Sequence, residues 1–405
     1  MKKRTESLTQ AFRPESGFRY FLLCVVITGL SYGLYKGVID NYVAEVVGMG
    51  EMDRGIMEFF RELPGIALVF ILAAFYMLSA ERLFQIGAVI MLVGMGLQAV
   101  LPPNKVLLIM AMCLYSVGDH MQLGMKSALS LQYAKPGQGG AAQGAQNSMY
   151  QIGSLAGYLV VIGVLMVLPA GEGTYRLFFV LATALAGASM LSAMRLRGSS
   201  TTDRNAHRFY FHRKYRKYYM LEMFYGARKQ VFLTFGPYLL ILFYGANAAT
   251  ISLLFAVSAV ASFFAAPLVG RIVDRVGYKT VMVADTLILV VVCFFYGWAH
   301  HLFPRDIAFL VCCVNYVLDC VISLASMATN VYVQELSDNA DEMKATISTG
   351  VSINHVITIF IALFGGWIWE ALGIETLFAA SAVLGLCNSA YAATIRPGEG
   401  KKSVS

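Results

Sequence analysis

Charge is what this chain has least of. Only 14% of its 405 residues are Asp, Glu, Lys or Arg, where a soluble protein carries about 25%. Hydrophobic residues make up 58%, and the mean hydropathy is +0.64. Apolar runs of about twenty residues or more recur from end to end, each long enough to cross ~30 Å of hydrocarbon. Together these exclude a soluble globular protein. A membrane β-barrel is excluded too, because its short alternating segments are missing. Cysteine signals are also absent. The seven cysteines, Cys24, Cys113, Cys293, Cys312, Cys313, Cys320 and Cys387, all fall in apolar runs, with no CxxC or ligand-like spacing. They read as small buried hydrophobes, not as disulfides or metal ligands. There is no HExxH, no GxSxG and no adjacent nucleophile–base pair, so nothing points to an enzyme, a resident cofactor or a metal. The first apolar run is too long for a signal peptide and lacks a small-residue cleavage site.

What is present is a polytopic all-α membrane pattern. We read twelve spans, at about 18–46, 53–78, 83–101, 105–133, 143–169, 174–195, 217–243, 248–269, 279–299, 305–334, 343–370 and 373–395. This divides the chain into a six-helix bundle over 1–195, a basic linker over 196–216 and a second six-helix bundle over 217–405. An even span count with a basic start places both termini on the cytoplasmic side. The basic residues agree: Lys2–Arg4, Arg13, Arg19, Arg82, Lys135, Arg271–Lys279 and Lys401–Lys402 fall on that side, while the opposite loops are neutral or acidic. The net charge of +7 is therefore the positive-inside pattern of an inner (cytoplasmic) membrane protein, not a nucleic-acid-binding face. The linker carries Arg197, Arg204, Arg208, Arg213, Lys214 and Arg216 among Phe and Tyr. It suits an amphipathic segment lying on anionic lipid. One opposite-side loop is mixed, with His300, His301, Arg305 and Asp306. A His pair can ligate a metal, and a solvated loop is the simpler reading.

The rare polar residues inside spans are ordered. Within the apolar run Val106–Ala134, the stretch Gly118–Lys126 holds Asp119, His120, Gln122 and Lys126. Tyr115, Asp119, Gln122, Lys126 and Ser130 recur at helical steps of three and four, on one face. A charge near the bilayer centre costs roughly 2.5–3.5 kcal/mol, so this stripe should face water or protein. Span one carries Tyr32, Lys36 and Asp40 on one face. Span seven carries Glu222, Tyr225 and Lys229, with Arg228 beside them. Span ten carries Asn315, Asp319, Ser323, Ser326 and Asn330. Span eleven carries Ser348, Ser352 and His355, where the histidine is either a structural group or a proton relay. In span two Arg54, Glu58, Arg61 and Glu62 are spaced for pairing, Arg54 with Glu58 and Glu58 with Arg61. A shift of about 200 residues lays span four on span ten and matches Asp119 with Asp319, as in the internal repeats of transporters.

The segment Gly270-Arg-Ile-Val-Asp274-Arg275-Val-Gly277-Tyr-Lys279 follows the pattern GxxxDRxGxK. It resembles the signature loop of the major facilitator superfamily, in a short loop after an even-numbered span. The first-half counterpart, Ser79-Ala-Glu81-Arg82-Leu-Phe-Gln85, keeps only the acid–base pair Glu81 and Arg82. Gly153-Ser-Leu-Ala-Gly157 in span five lacks the proline that follows glycine in the antiporter motif of the family's drug exporters. The resemblance implies alternating access to a mid-membrane site lined by spans one, four, seven and ten. It gives gating roles to Glu81, Arg82, Gly270, Asp274, Arg275, Gly277 and Lys279; Glu58, Arg61 and Glu62 would close the other side.

The cations Lys36, Lys126, Arg228 and Lys229 each need a carboxylate or an anionic substrate in low dielectric. Tyr32, Tyr115, Gln122, Tyr225 and Asn315 complete the expected substrate-binding set. Asp119, Asp319, Glu222, Asp40 and His355 are the candidates for proton or Na+ coupling. The first-half Asp119 is expected to be ion-paired, and Asp319 the freer to titrate. The sequence thus reads as a monomeric, proton-coupled transporter of a small organic anion or zwitterion. An exporter of amphipathic drugs or lipids is the alternative.

Overall fold

The computed structural model describes residues 10–14, 17–74, 78–135, 139–196, 211–338 and 340–396. Among them are twelve helices and no strand: α1 (Phe18–Asn41), α2 (Glu51–Ala74), α3 (Ala80–Val100), α4 (Lys105–Tyr133), α5 (Gly139–Leu165), α6 (Glu172–Ala193), α7 (Arg216–Leu242), α8 (Ala248–Val276), α9 (Tyr278–Leu302), α10 (Arg305–Leu336), α11 (Ala340–Leu372) and α12 (Ile374–Ala393). Ten of them are long and apolar enough to cross a membrane. The other two, α2 and α7, are the most charged of the twelve, with six and five Asp, Glu, Lys or Arg residues, which lowers their hydropathy without unwinding them. In lipid a helix satisfies its own backbone, so a charged span stays helical if its side chains find partners. The protein is an all-α multi-pass membrane protein.

The chain forms two compact units. One comprises Met1–Gly48, Phe60–Arg204 and Asn247–Ala256; the other comprises Met49–Phe59, Asn205–Ala246 and Val257–Ser405. In the first unit, α1 packs on α5 and α6, and α3 packs on α4 and α6. Glycine makes these crossings possible. A Cβ on Gly33 would sit 2.2 Å from the Ser154 carbonyl oxygen, and one on Gly29 would sit 2.3 Å from that of Tyr150. From the other side, Gly153 and Gly157 lie as close to the α1 backbone. Small residues that let two backbones touch are the usual adhesive between helices where hydrophobicity supplies no drive. Gly94 and Gly118 do the same between α3 and α4. Phe12, ahead of α1, bridges to Ala134 just past α4, and Arg13 donates from Nε to the Ala134 carbonyl at 2.9 Å.

In the second unit, α7 packs on α11 and α12, and α9 on α10 and α12. α10 is not continuous: Ser323–Ser326 tightens into a 3-10 turn. α8 and α9 are joined through Gly277 alone, at φ +84°, a region essentially reserved for glycine at its extended ψ of 149°.

One sequence expectation changes. His300 and His301 belong to the last turn of α9, not to a loop, because the helix runs on to Leu302. Of the linker, only the end is described: Lys214 Nζ binds Asp338 at 3.0 Å and Glu342 at 3.5 Å, and burial pushes the Tyr215 phenol up to about 12. Arg197, Arg204 and Arg208, with the expected amphipathic segment, lie outside the described residues.

Candidate functional site

The first unit holds a half-open cavity of about 400 Å³. α4 supplies Asp119, Leu123 and Lys126, α1 supplies Tyr32, and α5 supplies Gln143, Gln146, Asn147 and Tyr150. The glycine contact of α1 with α5 sets this wall: Tyr32 and Tyr150 flank it with ring centroids 5.9 Å apart. Lys126 is 6% exposed, and its ammonium lies 4.7 Å from the centre of the Tyr150 ring. No carboxylate stands within ion-pair distance of it among the described residues; the acid whose field reaches it is Asp119. Asp119, half-buried, makes no hydrogen bond among the described residues. The two lie seven residues apart, about 10 Å along the axis. The lining thus presents one cation, one anion, three amides and two phenol rings.

Two of the expected binding residues, Tyr32 and Lys126, meet the coupling candidate Asp119 here. Tyr115 and Gln122 do not. The cavity face of α4 runs through Asp119, Leu123 and Lys126, so it is rotated from the polar stripe and includes an apolar residue. Tyr115 is turned to α1, its ring 5.2 Å from that of Tyr35. Gln122 packs on Gly87 of α3, its amide without a hydrogen-bond partner among the described residues. Lys36 is paired with Asp40 at 2.7 Å and lies 5.2 Å from the Phe255 ring centre. The amides of α5 were missed by sequence reasoning. Their signal was there: 143, 146, 147 and 150 share one helical face.

The second unit holds another buried charge cluster. Arg228 Nη2 pairs with Asp285 Oδ2 at 2.8 Å, with side chains 3% and 8% exposed. Asp285, on α9, was absent from the expected set. The Arg228 guanidinium carbon lies 4.9 Å from the Tyr225 ring centre, and its Nη1 has no partner among the described residues. Tyr225 donates its hydroxyl to the Ser323 carbonyl at 2.6 Å, at the 3-10 turn of α10. Asp319 is buried within the fields of Arg228 and Lys229 and in no ion pair among the described residues, while Lys229 itself is exposed. Glu222 accepts from Thr329 at 2.9 Å. Asn315 is spent on its own helix, donating to the Val311 carbonyl at 2.8 Å. His355 is half-buried on α11, where its carbonyl accepts from Thr358.

Among the gate candidates, Glu58 pairs with Arg54 at 3.3 Å, and Arg54 also donates to the Thr234 carbonyl. Arg61 pairs with its neighbour Glu62. Glu81 is buried and accepts from Gln132 of α4, whereas Arg82 and Arg275 are exposed and Lys279 is half-exposed. A Cβ at Gly270 would meet nothing. The Asp274 side chain lies outside the described residues.

Solved structures share this fold. A nucleoside transporter, NupG, superposes with a TM-score of 0.73 at 14% identity, over 93% of this chain and 99% of its own. A peptide transporter, POT, in complex with sulfate gives 0.72 at 14%, over 96% and 98%. A D-xylose-proton symporter gives 0.72 at 14%, over 95% and 99%. No curated protein matches the sequence. The family model described as Major Facilitator Superfamily matches residues 21–336 and 218–405. The protein is therefore a transporter, and the chain belongs to the major facilitator superfamily.

Proposed function

We propose that the protein carries a small organic anion or zwitterion across the inner membrane by alternating access, coupled to protons, with both termini cytoplasmic. The observation that carries this reading is Lys126. It is a buried cation on a cavity wall with no carboxylate within ion-pair distance among the described residues. A buried charge without a counter-ion is costly, and a substrate carboxylate or phosphate relieves it. Asp119 on the same wall suits the ammonium of a zwitterion, and the amides of Gln143, Gln146 and Asn147 suit its polar body. The volume lies near the lower end of the roughly 300–1,000 Å³ range of ligand pockets. Asp119 and Asp319 are the proton carriers in this reading, and their oxygens would equally serve Na+; one charge crossing 100 mV supplies ~2.3 kcal/mol.

A thermal-stability screen of purified protein against small metabolites at two pH values, followed by uptake into proteoliposomes, tests it. Anionic or zwitterionic compounds should stabilise the wild type, by about 2.7 kcal/mol at a hundred times Kd. Lys126→Ala should lose that shift while Lys126→Arg keeps part of it. Asp319→Asn should retain counterflow yet lose pH-driven accumulation, and Asp119→Asn should lose pH-driven accumulation and weaken the binding of zwitterions. Stabilisation by bulky hydrophobic cations alone, unaffected by Lys126→Ala, would overturn the reading.

A further inference from the structure

The last turn of α9 meets the first turn of α12 through three side chains outside the candidate site. His300 and His301 end α9, and Glu375 begins α12. Both imidazole Nε2 atoms converge on one carboxylate oxygen, Glu375 Oε1, at 3.0 and 2.8 Å. The three ligand atoms lie within 4.8 Å of one another. We propose that this cluster is a divalent transition-metal site, best suited to Zn²⁺, that clips α9 to α12 at the end of the unit away from Gly277.

The chemistry of the set supports this ion class. Two imidazoles and one carboxylate are borderline N/O donors that suit zinc and its neighbours, whereas Mg²⁺ and Ca²⁺ want oxygen alone. Three protein ligands leave a fourth tetrahedral position to water. Ligand bonds of about 2.0–2.2 Å put tetrahedral ligand atoms about 3.3–3.5 Å apart. The two imidazole–carboxylate separations need to open by only about half an ångström, within the reach of small χ rotations. Both histidines must then present Nε2 lone pairs, with their protons on Nδ1.

The surroundings hold the ligands in place. The second carboxylate oxygen, Glu375 Oε2, occupies the space a Cβ on Gly373 would need, at 2.8 Å, and Gly373 has φ +88°. The His300 ring packs on Phe243 at 4.9 Å and on His301 at 3.9 Å between centroids. Arg305 is held away by donating to the Phe243 carbonyl at 3.3 Å. The His301 side chain is 56% exposed, so an ion can enter from solvent and keep a water ligand. A solvated histidine pair needs neither the convergence on one oxygen nor the glycine beneath the carboxylate.

Full-length protein in detergent, stripped with a chelator, is titrated with Zn²⁺ by calorimetry and followed by thermal unfolding. One equivalent should bind and raise the unfolding temperature, with no competition from Mg²⁺. His301→Ala, which removes only an exposed ring, and Glu375→Gln should each weaken binding at least about tenfold. Cobalt loaded in place of zinc should show d–d bands without a thiolate charge-transfer band. Absence of saturable binding, equal affinity in both variants, or a thiolate band that places the metal on the cysteines would each overturn the proposal.

Discussion

Arg228 and Asp285 allow the sharpest test of what the buried charges do. They stand 2.8 Å apart, with side chains 3% and 8% exposed. At an effective dielectric of about 20 their attraction is about 6 kcal/mol, set against the cost of taking both charges out of water. Removing one partner of such a pair leaves the other charge buried alone and costs about 3–5 kcal/mol, whereas replacing both with apolar residues is often neutral or better. Asp285→Asn or Arg228→Met should therefore lower unfolding stability by roughly that amount, and Arg228→Met with Asp285→Leu should recover most of it. Heated, detergent-solubilised protein, scored by the monodisperse fraction on size exclusion, reads this cycle. Transport then separates two roles. A purely structural pair would make the double variant both stable and active. A pair that opens to the substrate, with Arg228 Nη1 already without a partner among the described residues, would make it stable and inactive. If Asp285→Asn alone is as stable as wild type, the pair is not the buried contact described here.

Other contacts give simpler outcomes. Gly33→Ala places a Cβ where the Ser154 carbonyl oxygen lies 2.2 Å away; overpacking should cost about 1–3 kcal/mol or more, seen as reduced thermal stability and yield, and an unaffected variant would mean that α1 and α5 do not touch. Gly277→Ala meets no neighbour, so its cost is conformational alone, about 1–3 kcal/mol at φ +84°, and normal stability would refute that backbone. Tyr225→Phe removes the donor to Ser323 at 2.6 Å and should cost about 1 kcal/mol in thermal unfolding; an unchanged unfolding temperature would mean that bond does not hold the 3-10 turn.

The fold was legible because lipid makes helices obligatory and because each span is separately apolar. The site was legible only where charge is scarce enough to stand out. Lys126 and Asp119 were visible in an apolar run and do line the cavity. Gln143, Gln146 and Asn147 were not, because neutral amides beside a glycine-rich helix start look like a loop margin. Asp285 was missed for a different reason. It is a lone acid in the apolar run of α9, but unlike Asp119 it has no polar residue three or four positions away to make a stripe. The rotation of the α4 face had no sequence signal. Tyr115 and Gln122 are polar and in phase with Lys126, and what turns them to α1 and α3 is the approach of Gly87 and Gly94, which only the packing reveals.

The internal repeat acquires a physical meaning from this comparison. Laid on α4, α10 matches Asp319 to Asp119 and Ser326 to Lys126. In α4 the helix is continuous through Lys126, and a charged side chain reaches the cavity. In α10 the matching position is the end of the 3-10 turn Ser323–Ser326, with the Ser323 carbonyl held by Tyr225. One copy presents a cation at this level; the other presents altered backbone and leaves the cation to α7, where Arg228 is already matched by Asp285. In the proposed reading, the buried cation without an ion pair among the described residues, Lys126, lies in the first unit. Asp319, in the fields of Arg228 and Lys229 but outside any ion pair among the described residues, is the second acid, after Asp285 itself, that would feel Arg228 leave its partner. In the proposed reading, this asymmetry puts substrate recognition on the first copy and leaves Asp319 of the second to share the coupling ion with Asp119.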